Sequence, residues 1–295
     1  MHDDSSSPLI PVLAILGAVS ALAIGTATAK HALFPLIGAQ GTTAVRVGFS
    51  ALLLMLLWRP WRRPMSRSDL RAVACYGAAL GLMNLCFYMS LRTIPFGVAV
   101  AIEFSGPLAV VLWSTRRARD LAWVACAVTG LGLLLPIASD TGGLDPSGVG
   151  YALAAAAFWA AYIVFGKRLQ HIHAGHSVSL GLLVAALVVL PAGLPFLREA
   201  PLSPQVLLVG LFVAAISSAL PISLEMVALK RLPPTTFGIM LSLEPAVAAL
   251  MALLLLDEYL TAWQWLAIAL IVTASAGSTW AGKQTAAVKS PLPGH

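Results

Sequence analysis

About ten apolar segments, each close to the length of a membrane span, dominate this sequence. A helix needs ~20 apolar residues to cross ~30 Å of hydrocarbon, and in lipid its backbone polar groups must bond within the helix. Of the residues, 59% are hydrophobic and only 10% are charged, whereas soluble domains carry about 25% charged residues. We therefore predict an all-α integral membrane protein. The ten predicted helices are 9–28, 42–58, 70–91, 96–114, 121–137, 149–165, 177–196, 206–229, 235–256 and 263–280.

Basic residues are concentrated in alternate connections, which predicts both termini on the cytoplasmic side. The acidic start MHDDSSSP lacks the basic segment and cleavage site of a signal peptide, so the first apolar run is expected to remain as a span. One local signal disagrees, because acids precede that span and Lys30 follows it. The summed bias decides the orientation, and the arginine-rich connection at 59–71 outweighs Lys30. The inside connections contain 59–71, 116–119, 167–168, 230–231, Lys283 and Lys289, and the outside connections contain Lys30, Arg92 and Arg198.

Two helical hairpins, 84–114 and 222–252, carry prolines at matched positions. Pro95 matches Pro233 and Pro107 matches Pro245, each 138 residues later (233 − 95 and 245 − 107). A glycine- and proline-rich turn at 141–148 leaves five predicted spans on each side. An odd number of spans makes the second copy enter the membrane from the opposite side, as in transporters with inverted repeats. We therefore predict ten transmembrane helices as two inverted five-helix repeats: 1–140, a connecting turn at 141–148, 149–282, and a polar cytoplasmic tail at 283–295.

Four charged residues fall inside predicted spans, namely Arg46, Glu103, Glu225 and Glu244. A charge near the bilayer centre costs ~2.5–3.5 kcal/mol on insertion scales and marks a functional position by default. The alternative is that Arg46 pairs with one glutamate and only locks the bundle. One arginine cannot neutralise three acids, so we expect at least one carboxyl to face a cavity, where it can bind a substrate or carry coupling protons.

The prolines of the fourth and ninth spans follow two of these acids closely. Glu103 precedes Pro107, and Glu244 directly precedes Pro245. Proline removes a backbone donor and frees a carbonyl one turn earlier, which can contact a polar substrate if it lines a cavity. The alternative is an ordinary proline kink in a membrane helix.

Polar and aromatic side chains within the spans suit an amphipathic ligand such as an amino acid. Asn84 and Tyr88 lie four residues apart on the third span, and residues at that spacing share a helix face. Trp159 and Tyr162 are similarly placed in the sixth span, and Phe104 is next to Glu103. The alternative, a role at the lipid interface, suits the tryptophans near span ends better than it suits mid-span Trp159.

Several other functions lack their signals. Cys75 and Cys86 lie on one predicted helix, too far apart for a disulfide bond. The histidines of 171–176 have no acid or cysteine beside them to complete a metal site. No phosphate-binding Gly-Lys-Ser/Thr loop, nucleophile elbow or HExxH motif is present. We predict no cofactor, no metal, no nucleic-acid partner and no enzymatic activity.

The two hairpins and the second span also resemble a known family. GLMNLCFYMSLRTIPFGVAVAIEFSGPLAVVLWSTRR (81–117), PISLEMVALKRLPPTTFGIMLSLEPAVAALMALLLLDEYLT (221–261) and TAVRVGFSALLL around Arg46 are similar to the EamA branch of the drug/metabolite transporter superfamily. Within it they resemble the bacterial threonine/homoserine exporter group and, next, the aromatic amino-acid exporter group. That second group carries an aromatic residue before the proline of the fourth span, where this chain has Gly106, which argues against a purely aromatic preference.

The resemblance implies a transporter of the bacterial inner membrane that exports amino acids by alternating access. The expected substrates are threonine, homoserine and other neutral amino acids, including methionine and aromatic ones. Alternatives are a carrier for another metabolite or drug, a membrane-embedded enzyme and a non-transporting bundle. Energy coupling and oligomeric state stay open. The predicted substrate-binding residues are Asn84, Tyr88, Glu103, Phe104, Trp159, Tyr162 and Glu244, and the predicted coupling or structural charges are Arg46 and Glu225.

Overall fold

The computed structural model describes residues 9–62, 65–114, 121–134, 144–199, 203–232 and 234–289. Within those ranges the regular structure is helical, and no strand is assigned. The all-α prediction is thus confirmed for this part of the chain. The predicted basic connection 116–119, Pro233 and residues 141–143 of the predicted turn lie outside the described residues.

Thirteen α-helices are assigned within the described ranges. Seven helical stretches there are long and apolar enough to cross a membrane, and three shorter apolar helices accompany them. The protein is therefore described as a multi-pass membrane protein. The helices are α1 (Leu9–Ala32), α2 (Phe34–Trp58), α3 (Arg67–Ser90), α4 (Phe96–Glu103), α5 (Ser105–Ser114), α6 (Leu121–Leu134), α7 (Pro146–Gly166), α8 (Ala174–Glu199), α9 (Pro204–Ala214), α10 (Leu220–Arg231), α11 (Pro234–Leu241), α12 (Glu244–Leu256) and α13 (Ala262–Lys289).

The predicted spans 9–28 and 42–58 leave a connection at 29–41. That prediction is wrong, because α1 and α2 are separated only by Leu33. Pro35 stands in the first turn of α2, where its missing N–H costs nothing. Gly38 interrupts the helix with φ +63, a conformation that glycine adopts without strain. Phe196 of α8 lies 3.3 Å from the position that a Cβ on Gly38 would occupy. The chain therefore turns inside an apolar stretch that reads as one segment in the sequence.

Proline breaks the fourth and ninth predicted spans. α4 ends at Glu103 and α5 begins at Ser105, and likewise α11 ends at Leu241 and α12 begins at Glu244. Pro107 has no N–H for the Glu103 carbonyl, and Pro245 has none for the Leu241 carbonyl. The breaks thus lie where the missing donors predict them.

The eighth predicted span contains a wider helical turn. α9 passes through a π-helical segment, Ala215–Ala219, into α10. The Leu220 N–H bonds the Ala215 carbonyl five residues back, and the next residue, Pro221, has no donor. The extra residue in this turn directs Ser217 and Ser218 toward α2, as their hydrogen bonds below demonstrate.

Two polar clusters define the ends of the bundle. At the Lys30 end, Lys30 Nζ lies 2.6 Å from Glu258 Oε1, and Glu258 Oε2 accepts the Phe96 N–H at 2.6 Å. At the Arg59 end, His171 Nε2 lies 3.0 Å from Asp69 Oδ1. Lys30 and Glu258, two residues of predicted outside connections, thus share one end.

The helix caps follow ordinary rules at both ends. Ser66 and Asp69 form a reciprocal capping box at the start of α3. Asp145 caps α7 by accepting from Ser147 and from the Gly148 N–H. The bonds from Ser147 lower the pKa of the Asp145 carboxyl, and this exposed group stabilises the start of α7 in its charged form.

Close helix packing brings the two halves of the sequence together. α2 packs against α8, α3 against α7, α1 against α10, and α6 against α13. Gly77 and Gly81 of α3 lie against the backbone of α8 at Gly181 and Ala185, where a Cβ would collide. The three cysteines are free. Large apolar side chains such as Leu52 and Leu56 remain exposed on the outer surface, as a lipid-facing surface requires.

Candidate functional site

A cavity of about 240 Å³ lies between the two halves of the sequence. All four predicted mid-span charges border it, Arg46 from α2, Glu103 from α4, Glu225 from α10 and Glu244 from α12. α1, α3, α7 and α8 complete its wall. Drug-sized pockets are about 300–1,000 Å³, so this cavity suits a small solute. The polar and aromatic lining consists of Thr26, Arg46, Ser50, Tyr76, Asn84, Phe87, Phe96, Glu103, Trp159, Tyr162, Ser217, Ser218, Glu225 and Glu244.

Arg46 is fixed by neutral partners. Its Nη1 donates to Asn84 Oδ1 at 2.5 Å, and its Nε donates to Ser217 Oγ at 2.8 Å. Its guanidinium lies over the Tyr88 ring, 5.3 Å from the centroid, close enough for a cation–π contact. Arg46 is only 9% exposed, so these contacts hold most of the side chain in place.

The two neutral partners of Arg46 are themselves anchored to the backbone. Asn84 Nδ2 donates to the Leu80 carbonyl at 2.9 Å, and Ser217 Oγ donates to the Val213 carbonyl at 2.7 Å. Each therefore presents an oxygen to the guanidinium in a fixed direction. The adjacent Ser218 pairs with Ser50 at 2.8 Å between their hydroxyl oxygens.

Among the described residues Arg46 forms no ion pair with a glutamate. The two ion pairs found there are Lys30–Glu258 and His171–Asp69, and neither involves Arg46. Glu103, Glu225 and Glu244 thus border the cavity without a salt bridge to the guanidinium.

The helix breaks position two of the carboxyl groups. Glu103 is the last residue of α4 and Glu244 is the first residue of α12. Glu103 is 6% exposed, and Glu244 is partly buried. Two carboxyl groups from separate helices therefore reach one cavity beside interrupted backbone.

Aromatic rings form the wall that α3 and α7 share. The Tyr76 hydroxyl donates to the Tyr162 hydroxyl at 3.0 Å, and their rings stack with centroids 4.6 Å apart. Trp159, one turn before Tyr162, also borders the cavity. Ring faces of this kind contact apolar parts of a ligand while the hydroxyls stay polar.

Two of the predicted binding residues lie behind the cavity wall. Tyr88 is fully buried, and its ring packs against the Arg46 guanidinium. Phe104 is 3% exposed and packs edge-on against Trp159, with centroids 5.6 Å apart. Both support residues that border the cavity and are not themselves part of its lining.

Sequence reasoning missed five polar residues of the lining, one of which is Thr26. The other four, Ser50, Ser217, Ser218 and Tyr76, border the cavity and form the hydrogen bonds described above. The serine pair 217–218, which ends three residues before Pro221 in an otherwise apolar run, was the signal available for two of them. Within the described ranges, no group of three or more His, Cys, Asp or Glu side chains is arranged to hold a metal ion.

The cavity combines one fixed cation with several acids and ring faces. A guanidinium binds a carboxylate, and a carboxylate binds an ammonium, through charge-assisted hydrogen bonds. Both groups exist together in a zwitterionic solute. The lining therefore presents charges complementary to both groups of such a solute.

Comparison with known proteins agrees with this geometry. Residues 146–280 match the EamA-like transporter family. The chain is also 45% identical over 270 residues to the "Threonine/homoserine exporter RhtA" of Salmonella typhimurium (strain SL1344), covering 92% of this chain and 91% of that protein. The chain belongs to the EamA-like transporter family. Its membership places it among transporters and not among enzymes.

Further relatives extend the similarity over nearly the whole chain. The "Threonine/homoserine exporter RhtA" of Escherichia coli (strain K12) is 44% identical over 280 residues, covering 95% of each chain. The "Uncharacterized inner membrane transporter YedA" of the same organism is 26% identical over 242 residues, covering 76% of this chain and 75% of its own. The family is therefore represented in both halves of the sequence.

A solved crystal structure has the same fold. It covers 97% of this chain and 99% of its own length, with a TM-score of 0.58 and 22% sequence identity. At that identity the likeness concerns the fold alone. It spans all of the helices that surround the cavity.

Proposed function

We propose that this protein exports neutral amino acids, threonine and homoserine foremost, across the bacterial inner membrane by alternating access. The observation that carries the proposal is the cavity between the two halves, where Arg46 and the carboxyl groups of Glu103 and Glu244 border the same space. These charges complement the carboxylate and ammonium groups of a zwitterion. The relatives at 44–45% identity are named threonine/homoserine exporters, and they supply the substrate class.

In this proposal the acids and Arg46 have separate roles. Glu103 or Glu244 binds the substrate ammonium group, while Arg46 binds its carboxylate. Asn84 and Ser217 keep the guanidinium in position through their hydrogen bonds. The small cavity volume favours an amino acid over a drug-sized substrate.

The aromatic wall sets the room for the substrate side chain. Trp159 and Tyr162 border the cavity, and we assign them to the apolar part of the side chain. Tyr88 and Phe104 act through Arg46 and Trp159. This arrangement accepts methionine as well as the smaller hydroxy amino acids.

Alternating access rests on an inverted repeat, and several observations support it. α4 begins at Phe96 and α11 at Pro234, and these starts are 138 residues apart (234 − 96). Their ends, Glu103 and Leu241, have the same separation (241 − 103). This separation of 138 residues is also that of the matched prolines, Pro107 and Pro245. The helix ladder therefore breaks at corresponding points in 1–140 and 149–282.

The packing of helices is consistent with a two-fold relation between the halves. If α1 corresponds to α7 and α3 to α9–α10, the contact of α3 with α7 corresponds to that of α10 with α1. The contacts of α2 with α8 and α6 with α13 each correspond to themselves. We infer ten spans, with α4–α5, α9–α10 and α11–α12 each forming one. Both termini and the Arg59 end face the cytoplasm, by the distribution of Lys and Arg.

Counterflow in proteoliposomes tests the proposal. Proteoliposomes that contain the purified protein are loaded with a mixed set of neutral amino acids. Exchange of labelled threonine is then measured with and without a pH gradient. We expect exchange in wild type and at least a roughly tenfold loss in Glu103→Gln or Glu244→Gln, because each removes a charge-assisted bond worth about 1.5–3 kcal/mol. Glu199→Gln, at an exposed acid at the end of α8, is the matched control and should exchange normally.

The pH gradient separates coupling mechanisms, and the solute panel separates substrates. Faster exchange under an imposed gradient supports proton coupling, and no change supports facilitated exchange. Exchange of unrelated metabolites without threonine would contradict the amino-acid proposal. Normal exchange in both glutamine variants would contradict the ammonium-binding role.

A further inference from the structure

A second cavity, of about 370 Å³, lies at the Arg59 end of the bundle, apart from the substrate cavity. Its lining consists of Trp58, Arg59, Arg62, His173 and His176. All of these side chains carry N–H donors, and no carboxylate borders the space among the residues that the structure describes. The proposed exporter has no use for this cluster.

The cavity is shaped by specific backbone features. Arg59 ends α2 with φ +46, an unusual left-handed conformation for a residue with a side chain. The buried Pro60 then starts a 3₁₀ turn that brings Arg62 to the same cavity. On the facing side Gly175 is the second residue of α8, and a Cβ there would collide with the Trp58 ring. The close approach of α8 to Trp58 therefore depends on glycine at this position.

His173 is oriented as a donor toward the cavity by one backbone hydrogen bond. His173 Nδ1 accepts the Gly175 N–H at 3.2 Å, so the neutral ring carries its proton on Nε2 and can donate it. The His173 ring lies against Trp58 and His176, with centroids 5.1 and 5.2 Å away. Two guanidinium groups and two imidazoles around one space form an electrostatic site for a phosphate anion.

An exposed apolar surface leads from the bilayer to this cavity. Leu52, Leu56 and Leu57 of α2 are 59–66% exposed, and they lie within the two helical turns that precede Trp58 and Arg59. A free phosphate needs no such surface, whereas the acyl chains of a lipid do. Basic pockets between helices at the cytoplasmic side are a known way of binding anionic headgroups.

We propose that the cavity formed by Trp58, Arg59, Arg62, His173 and His176 binds the phosphate group of an anionic phospholipid, with its acyl chains along the exposed leucines of α2. The site bridges the end of α2 and the start of α8, the helices through which the two halves pack most directly. Bound lipid therefore stabilises the contact between them.

The test is thermal denaturation of the full-length protein in neutral detergent, titrated with dioleoylphosphatidylglycerol or with dioleoylphosphatidylcholine. We expect phosphatidylglycerol to raise Tm at lower concentrations than phosphatidylcholine. Arg59→Gln/Arg62→Gln should weaken that effect roughly 30-fold, since each arginine near an anionic surface contributes a roughly five- to sixfold change in affinity and the two changes multiply. Arg67→Gln/Arg71→Gln removes the same charge from exposed positions outside the cavity and should leave the titration unchanged.

Inorganic phosphate and single variants distinguish the lipid site from its alternatives. Inorganic phosphate at equal concentration should have little effect, and an equal rise in Tm would overturn the lipid proposal in favour of a free anion. No preference for phosphatidylglycerol, or an equal loss in the Arg67/Arg71 control, would overturn the site. If the double variant does not fold, Arg62→Gln and His176→Gln are tested singly, and both must weaken the lipid effect.

Discussion

At the scale of single residues, Arg46 illustrates how a buried charge is held without a counterion. Its guanidinium lies over Tyr88, and two of its N–H groups donate to neutral oxygens, those of Asn84 and Ser217. The positive charge is thereby retained beside a cavity bordered by acids. A neutral set of partners leaves the charge available to a substrate carboxylate, whereas a glutamate partner would compete for it.

Asn84→Ala tests this arrangement. The variant leaves Arg46 Nη1 without its buried acceptor, which we expect to reduce the free energy of unfolding by about 1–3 kcal/mol and to slow amino-acid counterflow. The free energy of unfolding is measured on detergent-purified protein, and counterflow is measured in proteoliposomes. Ser50→Ala is the control, because it breaks the Ser50–Ser218 pair in the same cavity and leaves the arginine contacts intact. Equal effects of the two variants would contradict a specific role for the Asn84–Arg46 bond.

Some residues of the cavity could be predicted from the sequence, and others could not. Mid-span charge identified Arg46, Glu103, Glu225 and Glu244 as cavity residues because lipid excludes such groups. Tyr88 was harder to assign, since four residues on a helix advance the direction by about 40° beyond a full turn. That rotation separates Asn84, which borders the cavity, from Tyr88, which lies behind Arg46.

At the scale of helices, proline fixes where the hydrogen-bond ladder fails. Pro107 and Pro245 predict the breaks after Glu103 and Leu241 from the missing donor alone. Pro221 leads to a π-helical turn instead of a break, and a single sequence gives no rule that distinguishes the two. The positions of Ser217 and Ser218 therefore could not be predicted, because the extra residue changes the register of everything before it.

Pro221→Ala should separate the geometry of this turn from overall stability. Restoring the backbone donor favours a regular α-helix, so we expect an equal or higher Tm together with a several-fold slower counterflow, as Ser217 leaves Arg46. Pro191→Ala, at a helix-interior proline of α8 that does not border the cavity, is the control and should transport normally. Unchanged transport in Pro221→Ala would contradict the positioning role of the turn.

The substitution Gly106→Ala tests the packing of α5 against α7. A Cβ at this position would collide with the carbonyl oxygen of Ala156, so Gly106→Ala should destabilise the protein by about 1–3 kcal/mol through overpacking. Gly150→Ala in α7 is the matched control, because nothing lies within 4 Å of its Cβ position. The control should keep or raise Tm, since alanine is the better helix former. Equal melting temperatures in the two variants would contradict this account.

At the scale of the whole molecule, one carboxylate with two partners joins several helices at the Lys30 end. Glu258 bonds both Lys30 of α1 and the first backbone N–H of α4, and it belongs to the connection between α12 and α13. Three separate parts of the chain therefore meet at this side chain. In the orientation proposed above, this is the outer end, so an exporter must break these contacts to release its substrate.

Glu258→Gln should shift the protein toward the outward-open state. The variant loses a partly buried ion pair and one charge-assisted bond to Phe96, worth about 1.5–3 kcal/mol, which corresponds to at least a roughly tenfold change in population. The measurement is the rate at which a membrane-impermeant thiol reagent, added from outside, labels Val100→Cys in the substrate cavity after Cys75, Cys86 and Cys126 are replaced. We expect roughly tenfold faster labelling than in the Glu258 parent. Asp257→Asn is the control, because this adjacent exposed acid takes part in neither ion pair of the described chain. Equal labelling of Val100→Cys in all three backgrounds would mean that the Lys30 end does not gate the cavity, and faster labelling only from the inside would reverse the orientation assigned to the bundle.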